Sequence, residues 1–276
     1  MKKFRPKKQL GQSFLTYEPT AERLVDALDI TAEDEVLEIG SGKGILTEQL
    51  AQKAKYVYAV EIDKRLSDML KEKFAGYENV EIINQDILKY DLSRFKQLKI
   101  LGNVPYSISS QILFLLLKYI RVWNIAVLTL QKEFAARILA KPGTKAYGAI
   151  TIIFNLHTEV QKLFSIPPAF FKPKPKIFST VILLKAREQP LFQIPDESAS
   201  GGFTKIVKAS FSQRRKTLLN NLHSSLKIDK NELQELGNKI GIDMTRRAET
   251  LTLAEFVSLS ERIKENLEIT LKHINK

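Results

Sequence analysis

The fold is decided by nine residues, Val-Leu-Glu-Ile-Gly-Ser-Gly-Lys-Gly at Val36–Gly44, where a short apolar run leads into three closely spaced glycines. The helical pattern Leu46–Ala54 follows at once, so the stretch is typical of a β-strand, a tight turn and a helix. The glycine spacing is GxGxG, whereas the dinucleotide fingerprint GxGxxG has its third glycine one place later. Three close glycines lower helix propensity without local gain, which favours a ligand-binding turn over a bare one.

Short β-rich runs alternate with helical patterns from this turn onward. The predicted strands are Val36–Ile39, Tyr56–Val60, Val80–Ile83, Lys99–Leu101, Ile125–Leu130, Thr151–Leu156 and Thr180–Leu184. This alternation predicts an α/β fold with a doubly wound, mostly parallel sheet. Only a Pro-rich segment separates the last two runs, so we expect them to form an antiparallel pair at one edge.

Composition excludes several classes of protein. Of 276 residues, 44% are apolar and 27% charged, which is the balance of a folded globular chain rather than a disordered one. The absence of Cys excludes disulfides and thiolate catalysis, and His157, His223 and His273 lack metal-site spacing, so we expect no metal. The longest apolar run, Ile112–Leu117, is too short to span a bilayer, so we expect a cytoplasmic protein.

The net charge of +12 favours a polyanionic partner, nucleic acid before an anionic membrane. Residues 1–16, 170–187 and 198–228 are rich in Lys and Arg and contain no acid. They form either one binding surface or three separately solvated segments. The candidate RNA-binding residues within them are Lys7, Lys8, Lys172, Lys174, Arg214, Arg215 and Lys216.

A change of composition near residue 190 divides the chain. Segment 189–202 concentrates Pro, Ser, Gly and acids, which is typical of a linker. The helical patterns beyond it are Phe203–Phe211, Arg214–Leu222, Lys230–Ile240 and Leu253–Leu271. We therefore predict an α/β domain at 1–190 that includes an N-terminal basic arm, a linker at 191–202, and a small all-helical domain at 203–276.

Acidic residues stand at successive predicted strand ends, which meet at one edge of a doubly wound sheet. Glu61 is placed to accept from two ribose hydroxyls, and Asp86 to accept from an adenine amine. S-adenosylmethionine has no phosphate, so it suits a loop without the phosphate-binding spacing. Gly40 and Gly42 would allow close backbone approach, and Glu38 would serve the cationic amino-acid end of this cofactor electrostatically or through water.

The segment Asn103-Val104-Pro105-Tyr106 follows the fourth predicted strand and indicates the reaction. An aromatic exocyclic amine is a poor nucleophile, because its lone pair is delocalised into the ring. The Asn103 side-chain oxygen and a carbonyl near Val104, held by Pro105, would accept its two N–H groups and direct the lone pair at a methyl group. Tyr106 would stack on an extruded base. Phe171 lies on a stiff basic segment that would either cover the second face of the base or form only a rigid surface turn. Without the glycine turn, we would interpret this segment as an Asn-Pro turn with a core tyrosine.

Over nearly its whole length the chain resembles the ribosomal RNA adenine N6-dimethyltransferase family. Asn103–Tyr106 is similar to the family's N-(L/I)-P-Y signature, and Phe171 matches the aromatic of its FxPxPKV motif. The resemblance implies a Rossmann-like class I methyltransferase fold with a seven-stranded sheet, and it implies that Gly11–Leu15, a GQxFL pattern, folds over the cofactor. The implied cofactor contacts are Ser13, Leu15, Gly40, Glu61, Asp86 and Asn103.

Motifs at 211–218 and 247–251, which include Arg247 as a further candidate RNA contact, resemble the KsgA-type small-subunit branch. The resemblance implies N6-dimethylation of two adjacent adenosines in the 3′-terminal hairpin loop of 16S ribosomal RNA, on an assembling 30S particle. We expect a monomer. The alternatives are a non-catalytic or bifunctional ribosome assembly factor, and methylation of DNA or of large-subunit RNA as in the antibiotic-resistance branch.

Overall fold

The computed structural model describes residues 6–7, 10–194 and 202–274, with side chains to residue 266. The strands in these ranges are β1 Phe14–Leu15, β2 Glu35–Ile39, β3 Tyr56–Val60, β4 Val80–Ile83, β5 Leu98–Asn103, β6 Trp123–Gln131, β7 Thr158–Ile166, β8 Phe171–Lys172 and β9 Ser179–Ala186. The α-helices are α1 Glu18–Asp26, α2 Ile45–Lys53, α3 Lys64–Lys73, α4 Ser109–Lys118, α5 Lys132–Ile138, α6 Ala149–His157, α7 Gly202–Ser210, α8 Leu218–Leu226, α9 Lys230–Lys239 and α10 Leu253–Ile274.

Seven strands form one sheet in the order β4-β3-β2-β5-β6-β9-β7. The first five are parallel to their neighbours, while β9 runs antiparallel to both β6 and β7. The predicted mostly parallel sheet is therefore confirmed, and it does have antiparallel strands at one edge, although one of the two strands predicted there is not a strand. The remaining strands, β1 and β8, form a separate two-stranded ribbon.

The centre of the sheet explains why Val36–Gly44 carries so strong a signal. Val36, Leu37, Glu38 and Ile39 are all at most 1% exposed, because β2 lies between two parallel neighbours. A parallel strand covered on both faces reads as a continuous apolar run rather than an alternating one. The helix that follows β3 has its own start signal, since the Asp63 side chain caps α3 by accepting from the backbone N–H of Arg65.

The predicted strand Thr151–Leu156 is wrong, because these residues belong to helix α6. Five of the nine residues of α6 are buried, so the helix shows a β-branched apolar run instead of an amphipathic stripe. The strand that pairs with β9 is β7, which begins directly after α6. β7 is mostly polar and partly exposed, as an edge strand is, and so it gives a weak sequence signal.

The chain divides into two compact units, and this division differs from the predicted boundary. Residues 1–135 and 158–188 form the first unit, which contains the whole sheet. Residues 136–157 group with residues 189–276 in the second, helical unit, so the predicted α/β domain 1–190 is interrupted by a helical insertion. Of the predicted linker 191–202, residues 195–201 lie outside the described residues.

The second unit is built from α6 to α10 around aromatic contacts. The ring of Phe211 stacks on Phe256 at 5.8 Å and meets the edge of Tyr147 at 6.3 Å. Helix α8 begins later than predicted, at Leu218, where Thr217 caps it by accepting from the Asn220 N–H. In the described part of the chain, no helix combines the length and apolarity needed to cross a membrane.

Candidate active site

Strand register brings the predicted site residues to one edge of the sheet. Ile39 at the end of β2 lies beside Val60 of β3 and Gly102 of β5. The residues that follow these three strand positions, Gly40, Glu61 and Asn103, therefore emerge together. Chain order reverses between β2 and β5, and the carboxyl end of such a switch point is where open α/β sheets bind ligands.

A cavity of about 790 Å³, counted with its open mouth, occupies this edge. Most of the predicted cofactor and catalytic residues line it. Those are Ser13, Gly40, Gly42, Glu61, Asp86, Asn103, Pro105, Tyr106 and Phe171.

Two glycines of the turn have geometric reasons for lacking a side chain. Gly42 has φ +58°, and a Cβ there would lie 3.0 Å from the Phe14 ring. Gly44 has φ +79°, and its Cβ would come within 2.7 Å of Leu70 and 2.9 Å of Phe74. Gly42 thus keeps the turn open toward the cavity, while Gly44 lets helix α2 pack closely on α3 and the turn that follows it.

Glu61 is buried at the cavity wall, and both of its carboxylate oxygens accept backbone hydrogen bonds. Oε2 accepts from the Gly42 N–H at 2.9 Å, and Oε1 accepts from the Asp63 N–H at 2.9 Å. Burial raises the pKa of this carboxyl, although the backbone donors oppose the shift. The Glu61 side chain, which is predicted to bind a ribose, therefore also holds the glycine turn and the end of β3 together.

Glu38, predicted to serve the amino-acid end of the cofactor electrostatically or through water, does not line the cavity. Its Oε2 accepts a 2.6 Å hydrogen bond from Thr47 of α2, while Oε1 is buried without a hydrogen-bond partner. Burial raises the pKa of Glu38 to about 7. This residue is a buried support behind the glycine turn.

Asp86 is half-buried and also lines the cavity. Its Oδ1 accepts from the Leu88 N–H at 3.0 Å, and this bond caps the short 3₁₀ turn Ile87–Lys89. Ile62, half exposed at the rim, also lines the cavity and was not predicted. The sequence feature that could have identified Ile62 is an apolar residue directly after the strand-end acid Glu61.

The N-terminal arm closes one side of the cavity. Asn103 Nδ2 donates a 3.0 Å hydrogen bond to the carbonyl of Ser13, and Ser13 Oγ donates to the carbonyl of Pro173 at 2.8 Å. The arm then pairs as β1 with β8, so that Leu15 lies opposite Phe171. Leu15 is buried in the core and does not line the cavity, unlike the other predicted cofactor residue of the arm, Ser13.

The two predicted stacking aromatics are held differently. Tyr106 is half-buried, and its hydroxyl shares a 2.7 Å hydrogen bond with Ser179 at the start of β9. Phe171 is only 5% exposed and packs in the core as well as against the cavity. Pro105 precedes the 3₁₀ turn that begins with Tyr106, in an extended conformation with ψ 129°.

Sequence reasoning missed the group that fastens the arm. The side chain of Asp63, 0% exposed, accepts from Gln12 Nε2 at 3.1 Å and pairs with Lys7 Nζ at 3.3 Å. Arg65 makes a two-pronged ion pair with the same carboxylate. The available signal was the helix-capping position of Asp63, but its partners in the arm lie more than 50 residues away.

The candidate RNA-binding cations fall into two groups. Lys7 is paired with Asp63, and Arg214 is paired with Glu249 and also donates to the carbonyl of Lys145, so both have internal roles that were not predicted. Lys8 lies outside the described residues. The remaining candidates, all of them exposed, are Lys172, Lys174, Arg215, Lys216 and Arg247.

The described residues contain no cluster of three or more His, Asp or Glu side chains arranged to hold a metal ion. The polar groups at the cavity are carboxylates, an amide and backbone N–H groups. Their arrangement suits an uncharged or cationic organic ligand with hydroxyl and amine donors.

Comparison with known proteins agrees with this geometry. The family model described as "Ribosomal RNA adenine dimethylase" matches residues 3–265. The "Ribosomal RNA small subunit methyltransferase A" of Syntrophus aciditrophicus is 40% identical over 263 residues, which cover 92% of this chain and 93% of that protein.

Two solved structures are similar over most of the chain. A dimethyladenosine transferase from Plasmodium falciparum has a TM-score of 0.77 at 27% identity, covering 89% of this chain and 95% of that one. The 23S rRNA methyltransferase ErmE has a TM-score of 0.69 at 26% identity, covering 91% and 99%. The family resemblance noted from the motifs is thereby confirmed, and the chain belongs to the ribosomal RNA adenine dimethylase family.

Proposed function

We propose that this protein dimethylates N6 of two adjacent adenosines in the 3′-terminal hairpin loop of 16S ribosomal RNA, with S-adenosylmethionine as methyl donor. The observation that carries the proposal is the meeting of Glu61, Asp86 and Asn103 around one cavity at the switch point of the sheet. The family match supplies the reaction class, and the 40% identity to a small-subunit methyltransferase supports the choice of RNA.

The residues of the cavity fit the cofactor chemically. The Glu61 carboxylate has lone pairs for two ribose hydroxyls beyond those used by Gly42 and Asp63, and Asp86 stands farther along the same wall for an adenine amine. Because Gly42 has no Cβ, which would lie 3.0 Å from the Phe14 ring, the turn leaves room for a ligand at this point. S-adenosylmethionine, when bound, supplies a methyl group on a sulfonium that is a good leaving group.

Asn103 performs the step that makes the amine reactive. Its Nδ2 is used by the Ser13 carbonyl, so its amide oxygen is the atom available to accept an N–H of the adenine amine. Accepting this hydrogen bond localises the lone pair on the amine nitrogen and directs it toward the methyl group. No general base is required, since the proton can leave to water after transfer, and alignment supplies most of the rate.

Tyr106 and Phe171 hold the base. The Tyr106 hydroxyl is anchored to Ser179, which leaves the ring at the cavity wall for stacking. Phe171 contributes an apolar edge from the core side rather than a freely exposed face. Extruding a base costs unstacking energy, and the target here is a loop, where that cost is lowest.

The exposed cations extend this assignment to the RNA backbone. We assign phosphate contacts to Lys172 and Lys174 in the first unit and to Arg215, Lys216 and Arg247 in the second. The helical unit is then the RNA-binding domain. The assembling 30S particle as substrate, a monomeric state and a cytoplasmic location complete the proposal.

The large-subunit alternative has structural support in the similarity to ErmE, although at 26% identity it is the more distant relative. Fold alone does not decide between the two RNAs. The C-terminal motifs at 211–218 and 247–251 favour the small subunit.

Radiolabelled S-adenosylmethionine tests the proposal. The purified protein is incubated in parallel with 30S subunits lacking this methylation, with 50S subunits and with duplex DNA, and the nucleosides are then analysed. We expect N6,N6-dimethyladenosine in the 30S sample only. Label in 50S RNA would move the protein to the large-subunit branch. No label, despite measurable cofactor and RNA binding, would favour a non-catalytic assembly factor.

A further inference from the structure

One buried carboxylate fastens the N-terminal arm to the wall of the cavity. The Asp63 side chain has no exposed surface, and its two oxygens accept from Gln12 and Arg65 and pair with Lys7. Its backbone N–H meanwhile donates to Glu61. Asp63 therefore joins the arm, helix α3 and the cavity carboxylate at a single point.

The arm at its other side touches the reacting centre. The Ser13 carbonyl, next in the chain to Gln12, accepts from Asn103 Nδ2 at 3.0 Å. A carbonyl oxygen only accepts hydrogen bonds, so the amide nitrogen of Asn103 must face the arm. The amide oxygen then lies on the other side of Cγ, where it is available to a substrate amine.

The orientation of that amide is essential for the reaction. If the amide rotated by 180°, its NH₂ group would meet the NH₂ group of the base, and two donors would face each other. The Asn103 side chain by itself has no strong preference, because its terminal torsion is broad and roughly two-fold. The arm supplies the preference.

We propose that Gln12 and Asp63 are positioning residues for methyl transfer, whose hydrogen bond holds the Ser13 carbonyl where it fixes the amide of Asn103. The expected effect on the rate of methyl transfer rests on the proposed function. The structural part of the inference, the fixed amide, holds for the protein without RNA. Gln12 is well placed for this role because its amide makes two hydrogen bonds. Its Nε2 donates to Asp63, and its Oε1 accepts from the Lys7 N–H at 2.7 Å, which links the two parts of the arm.

The first test separates rate from affinity. For Gln12→Ala we expect the single-turnover rate at saturating cofactor and 30S subunits to fall at least fivefold. Cofactor affinity, measured by calorimetry, should change by a smaller factor. A smaller fall at saturation would overturn the inference, because an arm that only covers the cofactor would alter affinity and leave the saturated rate intact.

A matched control and a rescue make the test specific. Thr16→Val removes another arm hydrogen bond, from Thr16 Oγ1 to the Phe170 carbonyl, and should leave the saturated rate within twofold of wild type. Gln12→Glu places two carboxylates together and should lower the rate further. Adding Asp63→Asn restores a donor and an acceptor with their roles exchanged, and should recover most of that loss. An equal loss in the control, or no rescue, would overturn the inference.

Amide exchange gives a readout independent of activity. In protein labelled with ¹⁵N-asparagine, the Asn103 side-chain NH₂ signal is assigned by its loss in Asn103→Gln, and its exchange with water is measured without RNA. We expect slow exchange in wild type and at least fivefold faster exchange in Gln12→Ala. Equal exchange in wild type and Gln12→Ala would overturn the inference, even if methylation of 30S subunits is confirmed. If the wild-type protein does not methylate 30S subunits, faster exchange in Gln12→Ala would still support the structural part of the inference.

Discussion

The cavity has a sheet wall, formed by Gly40, Gly42, Glu61, Asp86 and Asn103, and an arm wall, formed by residues 10–14. The central strands β2 and β5, which lead to Gly40 and Asn103, are almost completely buried, so the geometry of this part of the sheet wall is set by the core. The arm wall depends on a few polar contacts, to Asp63, Asn103 and Pro173, and on the short β1–β8 ribbon. The difference indicates that the sheet wall determines which ligand binds, whereas the arm wall adjusts how the bound groups react.

The largest effect is expected at Asn103, where the two walls meet. Asn103→Ala removes the acceptor for the base amine, and loss of one such group costs about 10²–10³-fold in rate. Because Glu61 and Asp86 are intact, cofactor binding should weaken only modestly. Single-turnover methylation of 30S subunits together with calorimetry checks both parts. Methyl transfer within tenfold of wild type would contradict the assignment.

The next effect tests the support behind the sheet wall. The pKa of Glu38 is about 7 in the folded protein and near 4.5 in its ordinary state, so the folded protein binds its proton more tightly. The resulting stability is present below pH 4.5 and is lost as the pH rises through 7, a change of about 3 kcal/mol. Glu38→Gln should remove this dependence.

Denaturant unfolding between pH 4.5 and 8 measures that dependence. The free energy of unfolding of wild type should fall relative to Glu38→Gln across this range. The exposed Glu33→Gln is the control and should follow wild type. Parallel profiles for wild type and Glu38→Gln would show that the buried carboxyl is not protonated in the folded protein.

A smaller effect distinguishes the walls directly. Glu61→Gln keeps the shape of the side chain but loses one of its acceptor oxygens, so cofactor affinity should fall by roughly 10- to 150-fold, which corresponds to the ~1.5–3 kcal/mol typical of hydrogen bonds to charged groups. The saturated rate should change much less, which is the reverse of the result expected for Gln12→Ala. A rate loss without an affinity loss would contradict the division of roles.

The smallest effect lies outside both walls. Arg215→Ala and Lys216→Ala remove exposed cations, and each should reduce the salt dependence of RNA binding by about 0.7 in the log–log slope. Arg214→Ala should instead lower the melting temperature, because Arg214 pairs with Glu249 inside the helical unit. Filter binding at several salt concentrations and thermal unfolding separate the two outcomes. An unchanged slope for Arg215→Ala and Lys216→Ala would mean that these cations do not meet RNA.

The same contrast explains what the sequence could predict. The runs at Tyr56–Val60 and Val80–Ile83 match β3 and β4 residue for residue, because short runs rich in β-branched and aromatic residues carry a strong local signal for strands. The succession of predicted parallel strands was enough to place Glu61, Asp86 and Asn103 at one edge of the sheet, where all three line the cavity. The position of Glu38 behind the glycine turn could not be predicted, because sequence does not reveal which way a buried strand-end side chain points.

The remaining errors come from contacts distant in sequence. The bond between Gln12 and Asp63 spans 51 residues and has no local pattern. The run at Thr151–Leu156 has the composition of a strand, and only its burial in the helical unit makes it the helix α6. Tertiary packing overrides local propensity at such positions.

A crystal structure with S-adenosylhomocysteine would test the central claim most directly. The account predicts the ribose hydroxyls within hydrogen-bond distance of the Glu61 carboxylate and the adenine amine near Asp86. It also predicts that Asn103 Nδ2 remains bonded to the Ser13 carbonyl. A ligand bound elsewhere, or a ribose turned away from Glu61, would contradict the claim that this edge of the sheet is the cofactor site.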